Sequence, residues 1–201
     1  ISQIYKVRFC DEPYLKKYLQ NLENKFQVIP NGIDKFWIEN VFKRKKYLTH
    51  PIQLLYIGNF TRNKNVLKLI KAVEVLINHK LDLILHIVGG GGGNVEIEKR
   101  IKRSNFVVNH GGVYEKNKLM DLMRKSDVFT MPSKTETFGL VYIESLSQGL
   151  PIIYTKGEGI DGLYEENIGE AVNADDMKSI SDGILKIINN HSNYNFSPKE
   201  I

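Results

Sequence analysis

Apolar positions along this chain follow two periods. Short runs at residues 26–30, 52–58, 81–89, 106–109, 128–132 and 151–155 are nearly continuous, with few polar interruptions. Strands read this way when both faces of their sheet are covered. Between the runs, apolar residues recur three and four apart. Over 65–79, Val66, Leu69, Ile70, Val73, Leu76 and Ile77 make one helical stripe. Residues 116–125 repeat the pattern with Leu119, Leu122 and Met123, and 138–148 repeat it with Leu140, Ile143 and Leu146. The latter helix closes at Gly149 and Pro151, an ordinary helix stop. A last helix is expected over 175–189, opening on Asp175 and Asp176, whose charge suits the N-terminal dipole. Strands alternating with helices predict right-handed βαβ units and a parallel sheet covered by helices on both faces. Ligands of such sheets bind at the carboxyl ends of the strands. The loops after residues 58, 89, 109, 132 and 155 are therefore where function is sought. The stretch 191–201 reads as a polar, poorly ordered tail.

Composition narrows the picture in a few places. The chain has 201 residues, enough to bury roughly 70% of its unfolded surface in one core. Cys10 is the single cysteine, so no disulfide can form within the chain, and a reducing, cytoplasmic setting fits. No apolar stretch reaches membrane-spanning length, since Asp82 and His86 interrupt residues 81–88. Nothing reads as a signal peptide. The net charge of +5 is scattered, with one tight cluster at Lys43, Arg44, Lys45 and Lys46. That distribution fits a solvated surface better than a nucleic-acid footprint, and no nucleic-acid partner is expected. His79, His86, His110 and His191 lack ligand spacing, and no Asp-x-Asp pair is present. No metal site is expected.

Residues 132–153 carry the most chemistry. A strand ends at Pro132, a loop holds Glu136, and Gly139 opens a helix containing Glu144. Free amides around Phe138, Gly139 and Leu140 would face a ligand above the sheet, and a phosphate gains there from the N–H groups and the dipole. Glu144, a turn into the helix, could accept from a vicinal diol, and Glu136 could reach another part of the same ligand. The plainer reading is two surface acids flanking a buried helix. The order Pro132, Ser133, Glu136, Phe138, Gly139, Leu140, Glu144, Gly149, Pro151 and Ile152 resembles the Glu-x7-Glu signature of glycosyltransferase family 4, with Ser145 and Ile152 in place of the usual Ala and Val. Ile29 to Asp34 resembles that family's I-P-N-G-V-D turn. The stretch from Tyr56 to Asn65 resembles its V-G-R-x-x-x-x-K-G loop.

The resemblance implies the C-terminal, donor-binding domain of a retaining, two-domain GT-B enzyme, Rossmann-like over residues 1–201. About 1–24 would be a lead-in from the inter-domain region. The donor would be a nucleotide diphosphate sugar, and the acceptor domain would precede this chain. Lys64 falls on the family's diphosphate lysine and Glu136 on its sugar-contacting glutamate; these are the candidate catalytic residues. Glu144 falls on the ribose contact, Phe138, Gly139 and Leu140 on the amide cradle, and Val113 on the backbone near the base. Asn59 stands where the family usually has arginine, so that cation is either missing or supplied by Arg62. The resemblance further implies cell-surface polysaccharide biosynthesis, with room for peripheral association of the full-length enzyme at the inner membrane face. The fragment alone is expected to transfer nothing. If it did, Glu158 and Asp161 would be the first residues to consider for an acceptor.

Three other readings compete. A module that binds nucleotide sugar without catalysis uses the same residues. A glycosidase would use Glu136 and Glu144 as its carboxylate pair, but has no need of Lys64 or the helix amides. The glycine run 89–93 is a weak dinucleotide fingerprint: Asn94 stands where a glycine is wanted, and no acid follows about twenty residues on.

Overall fold

The computed structural model describes residues 32–43, 47–48, 50–91, 95–194 and 196–199. The chain divides into two units, Ile1–Gly32 and Ile33–Ile201, and the described elements all belong to the second. The lead-in 1–24, the strand expected at 26–30 and most of the basic cluster at 43–46 lie outside the described residues.

The elements run α1 (Lys35–Glu39), β1 (Ile52–Ile57), α2 (Val66–Asn78), β2 (Leu83–Val88), α3 (Val95–Arg103), β3 (Val107–Asn109), α4 (Lys116–Lys125), β4 (Val128–Thr130), α5 (Leu140–Ser147), β5 (Ile152–Thr155), β6 (Gly169–Val172) and α6 (Met177–Asn189). A 3-10 turn, His191–Asn193, follows. The strands form one six-stranded sheet, order β3-β2-β1-β4-β5-β6, parallel throughout. Leu54, Leu55 and Tyr56 are buried in succession, as are Val128 and Phe129 and the pair Ile152 and Ile153. Both faces of the central strands are therefore covered. The chain steps outward from β1 through β2 to β3, then from β4 through β5 to β6 in the opposite direction. With right-handed crossovers, the helices of the two halves lie on opposite faces. The sense of winding reverses between β1 and β4.

The expected stripes explain most of the packing. Val66, Leu69, Ile70, Val73 and Leu76 of α2 are all buried. Asp176 caps α6 by accepting from the Lys178 N–H at 2.9 Å, whereas its neighbour Asp175 binds Lys134 at 2.7 Å. In α5, Ile143 and Leu146 are buried as expected, but Leu140 is 41% exposed. It is the first residue of the helix and leaves the core to Tyr142, which is 1% exposed. Leu119 and Leu122 are only partly buried, and Met123 alone sinks fully into the core from α4.

The tail departs further from expectation. After the 3-10 turn, Tyr194 and Phe196 are 2% and 8% exposed. The Tyr194 hydroxyl donates to Glu170 of β6 at 2.6 Å. Two aromatic residues among Asn, His and Ser suffice to dock a segment that is polar on average. Strand β6 was also not expected; its sequence, GEAV, buries only Val172. Gly169 is required there because a Cβ would collide with the Ile152 carbonyl oxygen.

Phe196→Ala should lower the unfolding free energy by about 3 kcal/mol, the cost of emptying a Phe-sized site. Urea denaturation measures this directly. A change within about 0.5 kcal/mol, as at a surface position, would show that the tail does not pack.

Candidate functional site

The carboxyl ends of β1 and β4 lie side by side where the winding reverses, which is the crevice such sheets use for ligands. Several contacts hold the loops around it. Gly89 has φ +137°, and a Cβ there would collide with the Gly58 carbonyl oxygen, so the loops after β1 and β2 touch backbone to backbone. Phe60 donates its N–H to the Gly90 carbonyl at 3.2 Å. The Asn63 side chain pairs with both backbone groups of Thr135, accepting from its N–H at 3.0 Å and donating to its carbonyl at 2.8 Å. Asn65 adopts a left-handed conformation (φ 57°) just before α2. Its buried amide donates to the Pro132 carbonyl at 3.1 Å and to the Ala174 carbonyl at 2.8 Å. One side chain thus joins the loops after β1, β4 and β6. Asn63 and Asn65 were absent from the expected site. Asn65 occupies the last position of the V-G-R-x-x-x-x-K-G pattern, where the left-handed conformation explains the family's glycine and asparagine is the next residue to tolerate it.

The ties bring two of the expected residues together. The Lys64 ammonium lies 2.5 Å from Glu136 Oε2 across the β1–β4 crevice. The pair is partly shielded, with side chains 26% and 11% exposed. Both backbone groups of Glu136 are engaged as well: its N–H donates to Glu158 Oε2 at 2.7 Å, and its carbonyl accepts from Gly159 N–H at 3.0 Å. Beyond Glu136 the chain enters α5 through Gly139, φ +72°. A Cβ at Gly139 would run into the ring of Tyr142. Tyr142 is anchored by its hydroxyl to the Met131 carbonyl and lies edge-on to Phe129 at 5.6 Å. The N–H groups of Phe138, Gly139 and Leu140 donate to no backbone carbonyl among the described residues. They form the open positive end of α5.

Glu144 sits in a different neighbourhood. It lies on the α5 side that meets α1, near Trp37, Lys116 and Asp34. Burial pushes its carboxyl above the usual carboxylate range, Asp34 adds to this, and a hydrogen bond from Trp37 with the charge of Lys116 offsets part of it. Asp34 caps α1 through the Phe36 N–H at 2.9 Å and is held by Lys116 at 2.7 Å. The two signature glutamates therefore flank the start of α5 from separate surroundings, and no contact joins them among the described residues. Trp37 was not foreseen, because α1 is only five residues long and carries no periodic pattern. Asn59 and Arg62 are exposed. The Asn59 carbonyl accepts from the Tyr56 hydroxyl at 3.0 Å, and neither side chain reaches the Lys64–Glu136 pair. Val113 is half-buried in the loop after β3.

The histidines divide. His86 and His110 approach at 2.9 Å between ring nitrogens, and His86 donates onward to Gln53 Oε1 at 2.6 Å. Burial depresses the basicity of both rings. Among the described residues, no three His, Cys, Asp or Glu side chains gather as metal ligands, and no helix is long and apolar enough to cross a membrane.

A cation and a carboxylate facing across the switch point, beside open helix amides, suit a ligand with both anionic oxygens and hydroxyls. A profile of the group 1 glycosyl transferases matches residues 38–198, and the chain belongs to that family. It is 30% identical over 188 residues to an uncharacterized glycosyltransferase of Methanocaldococcus jannaschii, covering 90% of this chain and 49% of that protein. It is 28% identical over 185 residues to the capsular polysaccharide biosynthesis glycosyltransferase CapM of Staphylococcus aureus, covering 85% and 48%. The chain thus spans about half the length of these relatives. The fold is that of GT-B glycosyltransferases. The C-terminal domain of the group 1 glycosyl transferase LpcC of Francisella tularensis superposes with a TM-score of 0.68 at 16% identity, over 84% of this chain and 95% of that one. The pneumococcal O-GlcNAc transferase GtfA, solved with UDP and GlcNAc, does so at 0.66 and 19%, over 90% and 38%.

The raised pKa of Glu144 gives a signed expectation. A carboxyl with a raised folded pKa favours the fold at low pH, and that contribution is lost as pH rises from the usual 4.5 through the folded value. Raising the pH forces charge onto this half-buried carboxyl in the wild type and none onto Glu144→Gln. Relative to wild type, the variant's melting temperature should therefore be higher at pH 7 than at pH 4. An offset independent of pH would mean that Glu144 is not desolvated.

Proposed function

We propose that this chain is the donor-binding half of a retaining glycosyltransferase that uses a nucleotide diphosphate sugar, with the acceptor half on a preceding domain. The Lys64–Glu136 pair beside the open end of α5 carries the reading. In such a transfer the bond between the anomeric carbon and the diphosphate oxygen breaks, the oxygen of the acceptor hydroxyl takes its place on the same face of the sugar, and the hydroxyl proton passes to the departing diphosphate. Negative charge grows on the departing diphosphate. Lys64 and the amides of Phe138, Gly139 and Leu140 lie where fixed positive charge would stabilise it. Glu136 turns from Lys64 to the sugar hydroxyls, and Glu144 accepts from the ribose diol. The backbone at Val113 meets the base. Arg62, exposed in the loop that holds Lys64, supplies the cation missing at Asn59.

The role of Lys64 requires no metal. The wider reading is cell-surface polysaccharide assembly on the cytoplasmic side, with the full-length enzyme associating peripherally with the inner membrane face. The capsular relative supports the polysaccharide part of this reading, and the neighbour solved with UDP supports a nucleotide-linked donor. Half a cleft does not hold an acceptor against the donor, and such positioning is worth about 7–11 kcal/mol of barrier. This half by itself is expected to bind donor and transfer nothing.

Calorimetric titration with UDP, GDP, ADP and their sugar conjugates tests the assignment. Lys64→Ala should weaken the free diphosphate and its sugar conjugate alike, by about tenfold, since a charged hydrogen bond contributes about 1.5–3 kcal/mol. The difference from wild type should shrink at high salt. Loss confined to the sugar conjugate would remove the diphosphate from Lys64.

A divalent ion should be dispensable. The same titrations in chelator should give an affinity within about twofold of those in magnesium, because a cation and a helix terminus already offset the diphosphate charge. A large loss in chelator would place a metal in the site.

A further inference from the structure

Three bonds run from the end of β5 to the loop that carries Glu136. Thr155 Oγ1 donates to the Ser133 carbonyl at 2.6 Å. Glu158 Oε2 accepts from the Glu136 N–H at 2.7 Å, and Gly159 N–H donates to the Glu136 carbonyl at 3.0 Å. Consecutive residues therefore grip both sides of one residue's backbone. Gly159 has φ +52°, and a Cβ there would lie 3.0 Å from Glu136 Cγ and 3.2 Å from the Phe138 carbonyl oxygen. The loop can come this close only with glycine at that position.

The loop is itself braced. The Gly157 N–H donates to Asp161 Oδ2 at 2.6 Å, and the Asp161 N–H donates to the Glu158 carbonyl at 3.1 Å. Ile160 is 1% exposed and pins the loop to the core. Glu158 is thus presented by a fixed turn, and its hydrogen bond to Glu136 is charge-assisted, hence short and directional. Its negative charge also lies on the backbone side of Glu136, which disfavours rotation of the Glu136 carboxylate toward it and favours the Lys64 side. Asp161 and Glu158 hold the loop and the Glu136 peptide, and this differs from the acceptor contacts considered for them from sequence.

We propose that Glu158 is a positioning residue for Glu136: it fixes the Glu136 peptide so that the Glu136 carboxylate faces the β1–β4 crevice and meets the donor's sugar. The proposal rests on the donor-binding reading, in which Glu136 contacts the sugar and Lys64 the diphosphate. It concerns discrimination between ligands that carry a sugar and ligands that do not.

The test compares wild type, Glu158→Ala and Glu158→Gln. In a proton–nitrogen correlation spectrum, the Glu136 amide should be displaced downfield in wild type. It should move upfield by several tenths of a ppm in Glu158→Ala and stay near its place in Glu158→Gln, which keeps an acceptor oxygen at the same reach. In calorimetry, Glu158→Ala should weaken UDP-glucose, or whichever of GDP-mannose and ADP-glucose binds, at least fivefold. The matching free diphosphate should stay within twofold, and Glu158→Gln should recover most of the loss. Should Glu158→Ala not melt cooperatively, Glu158→Asp, one methylene short of the N–H, carries the same comparison. An unmoved Glu136 amide, or equal losses for both ligands, overturns the proposal. A wild-type protein that binds none of the nucleotides overturns the donor-binding reading instead, and the Glu136 amide still decides whether Glu158 holds that peptide.

Discussion

The structure depends on how the chain closes the gap between β1 and β4. These strands are neighbours, yet the helices that follow them leave toward opposite faces of the sheet, so no single helix roofs the crevice at their carboxyl ends. Backbone polar groups at such an edge need partners from side chains or from a ligand. Asn65 supplies them from within: its buried amide satisfies the carbonyls of Pro132 and Ala174. Asn63 does the same for both backbone groups of Thr135. With the loops after β1, β4 and β6 thus joined, Lys64 meets Glu136 across the crevice.

That convergence gives the site its electrostatic character. Lys64 and Glu136 are partly shielded, so their charges interact more strongly than in water, and the unbonded amides at the start of α5 follow Glu136 by two to four residues. Without ligand, Glu136 is the counterion of Lys64. An anionic group arriving between Lys64 and the helix amides would compete for that lysine and release a carboxylate suited to hydroxyl groups. On the donor-binding reading proposed above, one pair of side chains would answer both the charge and the hydroxyls of the ligand.

Helix α5 places the two signature glutamates in different surroundings. Glu136 stands before the helix, at its positive end, in contact with cationic and backbone partners. Glu144 lies further along, on the flank that meets Trp37 of α1, where burial raises its carboxyl. Eight residues of spacing read as a single motif in sequence. In space they make two environments, one charged and one partly apolar, and a ligand extended along the crevice would meet both.

Much of the fold was legible in the residue pattern because its strands are short apolar runs and its helices carry clear stripes. The residues of α2, α4, α5 and α6 fall close to their expected bounds. Glu136 and the glycine before α5 are singled out by a loop and a helix start, and Lys64 by its place in the family pattern; the structure pairs Lys64 with Glu136. What had no local signature was decided by tertiary structure. Strand β6 and helix α1 are too short to show periodicity, and they form because β5 and α5 offer them partners. The tail docks because two aromatic residues find sites in the core, which average polarity conceals. Asn63, Asn65 and Glu158 look like ordinary loop residues until three strand ends are brought together, because a hydrogen bond between residues 22 to 109 positions apart leaves no mark in the sequence around either one. The chain itself dictated the apolar strands, the striped helices and which residue types their loops carry. Which loops face one another followed only from the right-handed winding of the sheet and its reversal between β1 and β4.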